Sequence, residues 1–316
     1  MDARAEHIPV LYQEVLAALA PRAGGRYIDC TLGGGGHALG ILERSSPDGR
    51  LLGIDADPEA LKIATARLEP YRSRCILINE NYINVGRLAR ERNFVQVDGV
   101  LFDLGFSTIQ IESLDRGFSF RVDAPLDMRF DPRQEITAAD LISTSTEQEL
   151  AEMIFKYGEE RRARAIARAI VAERARRPIE TTGQMTRIIE RVVPKQGKIH
   201  PATRTFQALR IAVNRELENL ESALGQVVEL LAPGGKLAVI SFHSLEDRLV
   251  KQFFAAEARG CICPPRIPVC VCGHKARLEI ATKKAIAPSS EEVQRNPRSR
   301  SAKLRVARRV GVRPSP

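Results

Sequence analysis

Four consecutive glycines, Gly33, Gly34, Gly35 and Gly36, separate two patterned segments. Residues 27–32 (YIDCTL) read as a buried strand end, and Ala38, Leu39, Ile41 and Leu42 follow at helical spacing. Glycines at such a junction let the backbone turn tightly and let a ligand approach the N–H groups that open the helix. The chain is thereby committed to a strand–turn–helix unit, and the unit recurs. Asp48-Gly49 signals a turn before the strand Arg50–Asp55, and Pro58 opens a helix carrying Leu61, Ala64 and Leu68. Residues 75–78 form a third strand and Val97–Asp103 a fourth, which ends in Leu104-Gly105. Strands alternating with helices at this spacing predict an α/β fold with a parallel sheet.

The rhythm then changes. Residues 112–135 are irregular, with aromatics, acids and prolines interspersed. Helical periodicity follows, with capping boxes at Thr146–Glu149 and Thr181–Gln184. Residues 159–177 carry Ala163, Ile166, Ile170 and Val171 on one face and arginines on the others; the face either touches phosphates or is simply solvated. One long helix is expected over about 201–231, ending at Pro233-Gly234-Gly235, before a fifth strand at 236–240. Two later segments, 278–284 and 302–310, are expected to pair antiparallel at the sheet edge. The expected organisation is a first part over 1–111, a helical insertion over 112–200 for substrate recognition, and a second part over 201–316 with a basic C-terminal segment.

A composition of 44% hydrophobic and 28% charged residues supports a packed core. No apolar run reaches the ~18 residues a membrane span needs. Glu14 within the most apolar N-terminal stretch, with Asp2 and Glu6 nearby, argues against a signal or transit peptide, so a cytoplasmic location is expected. The net charge of +9 is concentrated: residues 273–316 hold 12 Lys/Arg against 3 Asp/Glu. A localised basic strip suggests a polyanionic partner, a solvated tail being the plain alternative. Cys30 and Cys75 stand singly in apolar surroundings, as reduced core residues do. Cys261, Cys263, Cys270 and Cys272 form two C-x-C pairs followed by Gly273-His274. Four thiols at that density suit zinc, although the familiar spacing is C-x-x-C; a proline-rich loop with small apolar thiols is the competing reading.

The pattern Gly33-x-Gly35-x-x-Ala38, with Asp55 about 20 residues on, satisfies the dinucleotide fingerprint and leaves NAD and S-adenosylmethionine unresolved. Asp29, four residues before the glycines, gives a D-x-x-x-G-x-G pattern resembling motif I of class I methyltransferases. Residues 230–240 (LLAPGGKLAVI) resemble the segment before their fifth strand. Residues 103–110 (DLGFSTIQ), 116–129, 157–171, 200–211 and SFHSLEDR at 241–248 make the likeness specific. From about His7 to Val310 the chain resembles the MraW (RsmH) family of bacterial methyltransferases, which act on N4 of a decoding-centre cytidine in 16S rRNA.

The resemblance implies a class I methyltransferase sheet with a helical domain inserted between strands four and five, S-adenosylmethionine as cofactor, and 16S rRNA within the 30S subunit as partner. It implies that Gly35, Gly36 and His37 hold the cofactor, that Asp55 binds its ribose, that Tyr82 packs on the adenine, and that Asp103 and Gln110 make the remaining contacts. The family commonly reads D-L-G-V-S-S-P-Q where this chain has Phe106, Thr108 and Ile109, so the path to Gln110 differs. Asp103 is the expected catalytic or cofactor-orienting acid. His243 and Asp247 are further candidates facing the substrate, the alternative being that Ser241–Asp247 caps the following helix. Phe106 either stacks on an extruded base or packs in the core. An NAD-dependent oxidoreductase would account for the glycines and Asp55 alone, and a non-enzymatic RNA-binding protein for the charge alone. Monomer and homodimer both remain open.

Overall fold

The computed structural model describes residues 9–105, 110, 115–195, 200–261, 263, 264, 269, 271–273 and 275–311. The chain divides into two compact units, 1–105 with 217–316, and 106–216.

The first unit is built on a seven-stranded sheet of order β3-β2-β1-β4-β5-β7-β6. Its strands are β1 (Arg26–Asp29), β2 (Arg50–Asp55), β3 (Cys75–Asn79), β4 (Val97–Asp103), β5 (Leu231–Ser241), β6 (Leu278–Ile280) and β7 (Lys303–Arg309). The first five are parallel; β7 runs antiparallel to both β5 and β6. The last two strands therefore do form the expected antiparallel pair, with β6 at the edge and β7 inside it.

Strand alternation sends neighbouring side chains to opposite faces. Ile28, Leu52, Val100, Phe102, Leu237 and Val239 pack on one face against α4 (Val85–Glu91), α10 (Glu216–Leu230) and α11 (Ser244–Glu257). Tyr27, Leu51, Leu101, Ala238 and Ile240 face the other way, against α1 (Tyr12–Leu19), α2 (Gly36–Arg44) and α3 (Pro58–Arg67). Buried on both faces, these strands read as continuous apolar runs, as parallel strands do.

Residues 233–235 lie inside β5. Leu231 pairs with Val97 and Lys236 with Gly99, so the intervening residues bulge out of the ladder. Gly234 takes φ +82, and a Cβ on Gly235 would meet the Val97 carbonyl oxygen at 2.7 Å. Glycine is required at both positions.

The second unit has its own core, which includes Leu126, Ile142, Leu150, Ile154, Ile166, Ile170, Met185, Ile189, Phe206 and Leu209. Its helices are α5 (Ala138–Thr144), α6 (Glu147–Gly158), α7 (Ala163–Arg174), α8 (Thr182–Val192) and α9 (Thr203–Asn214). Thr137, Thr146 and Thr181 each close a full capping box. The unit is wider than 112–200 because α9 packs on α6.

The single helix expected over 201–231 is two helices. Arg215 adopts φ 51 at the C-cap of α9 and breaks the periodicity. Apolar spacing continues across the break, which is why the sequence reads as uninterrupted. Arg210 grips Glu216 across it with two hydrogen bonds of 2.9 and 3.1 Å, both side chains being buried.

Candidate active site

The glycine loop leaves β1 and enters α2. Gly35 is the N-cap of α2 at φ 76, a left-handed conformation that glycine adopts without strain. A Cβ on Gly36 would stand 2.4 Å from the Pro9 ring. His37 follows in the first turn, buried against Tyr12.

Around this loop the carboxyl ends of the parallel strands deliver acids. Asp29 ends β1, Asp55 ends β2 and Asp103 ends β4, while Glu246 lies buried in the first turn of α11 after β5. Backbone and hydroxyl groups fix their positions. The Asp55 carboxylate accepts from the Gly33 N–H at 2.7 Å and the Asp57 N–H at 2.8 Å, tying the end of β2 to the glycine loop. The Asp29 carboxylate accepts from the Thr31 N–H at 3.2 Å, and Thr31 Oγ1 accepts from the Asp103 N–H at 2.6 Å. His37 Nδ1 lies 3.6 Å from Asp103 Oδ2.

Such a concentration of carboxylates resists full ionisation. Burial pushes Asp29 up to about 7, against the Thr31 N–H and helped by repulsion from Asp55. Burial also raises Asp103 well above the carboxylate range, with Asp29 and Glu246 adding repulsion. Among the described residues, Asp103 Oδ1 is a buried oxygen with no hydrogen-bond partner.

These groups discriminate between the two cofactor classes. A helix N-terminus alone would attract a pyrophosphate. Here three acids end the strands, with Glu246 close enough to perturb Asp103, and a cation bound among them would draw them back to the ionised form. They favour a ligand carrying a sulfonium and an ammonium. The orphaned Asp103 Oδ1 fits S-adenosylmethionine.

The other expected site residues lie as follows. Tyr82 sits past β3 and packs edge-on against Phe102, ring centroids 5.6 Å apart; Asn79 donates to the Asp55 carbonyl oxygen nearby. Gln110 is buried within the second unit. Phe106, Thr108 and Ile109, together with Cys270 and His274, lie outside the described residues. His243 is the N-cap of α11: its Nδ1 accepts from the Glu246 N–H at 3.4 Å, and Glu246 Oε2 reaches back to the Phe242 and His243 N–H groups. Asp247 is engaged by Arg305 and Lys303, which hold its carboxyl low despite the cost of burial.

Sequence reasoning missed Thr31 and Glu246. Thr31 acts through a hydroxyl with no motif of its own. Glu246 reads as an ordinary first-turn acid until the structure shows it buried beside Asp103. Part of the C-terminal basic strip also has a structural role. Arg277 binds Glu257 and Glu229, Arg308 binds Glu279, and Lys303 and Arg305 bind Asp247. Lys283, Lys284 and Arg300 stay exposed.

The seven-stranded order with an antiparallel β7, and acids around a glycine loop at the carboxyl ends of the strands, define the class as a class I S-adenosylmethionine-dependent methyltransferase. The model of the MraW methylase family matches residues 4–310, and the chain belongs to that family. It is 57% identical over 305 residues to a ribosomal RNA small subunit methyltransferase H of Thermomicrobium roseum, covering 96% of this chain and 94% of the relative. It is 54% identical to the protein of that name in Dehalococcoides mccartyi, covering 96% and 86%. Against the one in Heliobacterium modesticaldum the identity is 50%, covering 96% and 98%.

Proposed function

We propose that this chain transfers a methyl group from S-adenosylmethionine to the exocyclic N4 amine of a decoding-centre cytidine in 16S rRNA, within the 30S subunit. The reading rests on one observation above others: the convergence of Asp29, Asp55 and Asp103 on the glycine loop, in a chain whose relatives bear the name of a small-subunit rRNA methyltransferase. When bound, S-adenosylmethionine supplies a methyl group already activated on a sulfonium.

The protein's part is then positioning and charge. Gly35 and Gly36 admit the cofactor to the backbone, His37 faces the Asp103 carboxyl group beside it, Asp55 receives ribose hydroxyls, and Tyr82 lies against the adenine. Asp103 Oδ1 orients the cofactor or accepts an N4 proton. Accepting that proton localises a lone pair otherwise delocalised into the cytosine ring and takes up the positive charge that develops on nitrogen. Gln110 completes the cofactor contacts. His243 acts as a positioning residue through its cap on α11. No helix among the described residues is long and apolar enough to cross a membrane.

The second unit is the element we assign to RNA. Arg161, Arg164 and Arg168 are exposed on and just before α7, a surface suited to phosphates, which fix register while conveying little sequence. Reversing Arg161 and Arg164 to glutamate lowers RNA affinity and reduces the slope of log affinity against log salt by about 0.7 for each phosphate no longer neutralised.

The direct test is transfer of labelled methyl from S-adenosylmethionine to 30S particles, free 16S rRNA and an unrelated RNA, followed by nuclease digestion. N4-methylcytidine from 30S particles is expected. Label confined to protein, or none despite cofactor binding, overturns the RNA assignment; label in free 16S rRNA alone overturns the 30S assignment.

A further inference from the structure

The segment between α11 and β6 carries chemistry that methyl transfer does not use. It is clamped at its base, where the Arg277 N–H donates to the Glu257 carbonyl oxygen at 2.8 Å and the Arg277 guanidinium binds the Glu257 carboxylate. Beyond that clamp, none of the described residues from 258 to 277 is buried, and Val269 and Val271 are 72% and 76% exposed. Described residues with no buried apolar side chain among them need another source of order, commonly a disulfide or a metal.

Three thiols supply it. The Sγ atoms of Cys261, Cys263 and Cys272 all lie within 4.8 Å of one another. Cys272 Sγ is 3.8 Å from Cys261 Sγ. A disulfide needs about 2.05 Å. In contrast, two thiolates on a tetrahedral zinc at about 2.3 Å stand about 3.8 Å apart. Backbone donors are in place to stabilise sulfur charge: the Cys263 N–H points at Cys261 Sγ and the Val271 N–H at Cys263 Sγ, both at 3.4 Å. Gly273, at φ 62, turns the chain directly after Cys272.

We infer that Cys261, Cys263 and Cys272 form a structural zinc site that clips the α11–β6 loop. Three clustered soft sulfur ligands, one pair of them at the spacing a tetrahedral zinc requires, select zinc over the harder divalent ions. The three thiolates fill three corners of the tetrahedron. Cys270, the fourth member of the sequence pattern, lies outside the described residues, and the site stands on the other three. Its function is to fix the loop, the fourth corner falling to a further ligand that completes the tetrahedron.

The test is metal content of the full chain, purified under reducing conditions without chelator and reconstituted with zinc. One zinc per chain is expected, falling below about a tenth in Cys261→Ser and Cys272→Ser and unchanged in Cys75→Ser. Cobalt reconstitution should give the strong visible bands and sulfur-to-metal charge transfer of a tetrahedral thiolate site, lost in the same two variants. Far-UV circular dichroism and S-adenosylmethionine affinity of the serine variants should match wild type, separating metal loss from misfolding. A wild-type chain that holds no zinc after reconstitution, or serine variants that keep it, would overturn the site.

Discussion

His37 and Asp103 face each other across the mouth of the glycine loop, with His37 Nδ1 3.6 Å from Asp103 Oδ2. The opposite ring nitrogen, Nε2, lies 3.1 Å from the Val10 carbonyl oxygen, which can only accept, so Nε2 carries the proton. Nδ1 is thereby aimed at an aspartate whose ionisation is suppressed by burial and by Asp29. The pair sets where one oxygen of Asp103 points and leaves the other, Oδ1, for a ligand.

His37→Ala should therefore weaken S-adenosylmethionine binding about tenfold, equivalent to about 1.4 kcal/mol. Asp103→Ala should lower turnover by about a hundredfold or more. The double variant should lose less than the product of the two, because one removes what the other positions. Calorimetry and single-turnover methylation check this, and near wild-type turnover in Asp103→Ala would refute both roles given to that residue.

Asp29 makes stability depend on pH with a definite sign. Its folded value of about 7 lies above the ordinary 3.8. Below 3.8 both states hold the proton and the group contributes nothing. Between 3.8 and about 7 the folded chain keeps a proton the unfolded chain has lost, so stability falls as pH rises. The full penalty is present above 7 and is bounded by about 4 kcal/mol. Denaturant titrations of Asp29→Asn should lose this slope; profiles parallel to wild type would refute the assignment. A cationic cofactor favours the ionised acids, so its binding should release protons, measurable by calorimetry in buffers of different ionisation enthalpy.

His243 is a cap by geometry, and the conservative replacement separates that role from acid–base chemistry. His243→Ala should cost about 1 kcal/mol of stability. His243→Asn, a strong cap without an imidazole, should restore both stability and turnover. Restored stability with turnover still lost would give the ring itself a chemical role.

The buried Arg210–Glu216 pair spans the break between α9 and α10. Arg210→Ala leaves a buried carboxylate without its bidentate partner and should destabilise the chain by about 3–5 kcal/mol. Arg210→Met/Glu216→Leu should recover most of that loss. Thermal melts of the two variants decide it; an undamaged Arg210→Ala would mean that the pair contributes little.

Local signals were legible because they act over a few residues. The glycine run, the apolar strands and the threonine capping boxes at Thr146 and Thr181 each form where periodicity and cap chemistry place them. The break at Arg215 was not, because apolar spacing continues through it and only a left-handed backbone angle marks the turn. The pairings within the C-terminal basic strip were not legible for a similar reason. Charge counts do not record that Arg277, Arg305 and Arg308 meet acids from distant segments.

By itself the sequence determined the α/β rhythm, the glycine loop and which acids end which strands, since side-chain alternation and turn chemistry operate within a single segment. Only the tertiary structure decided what those acids feel. Asp103 is separated by long stretches of chain from Asp29 and from Glu246, and is repelled by both only when the parallel strands are laid side by side and bring the three into one low-dielectric site.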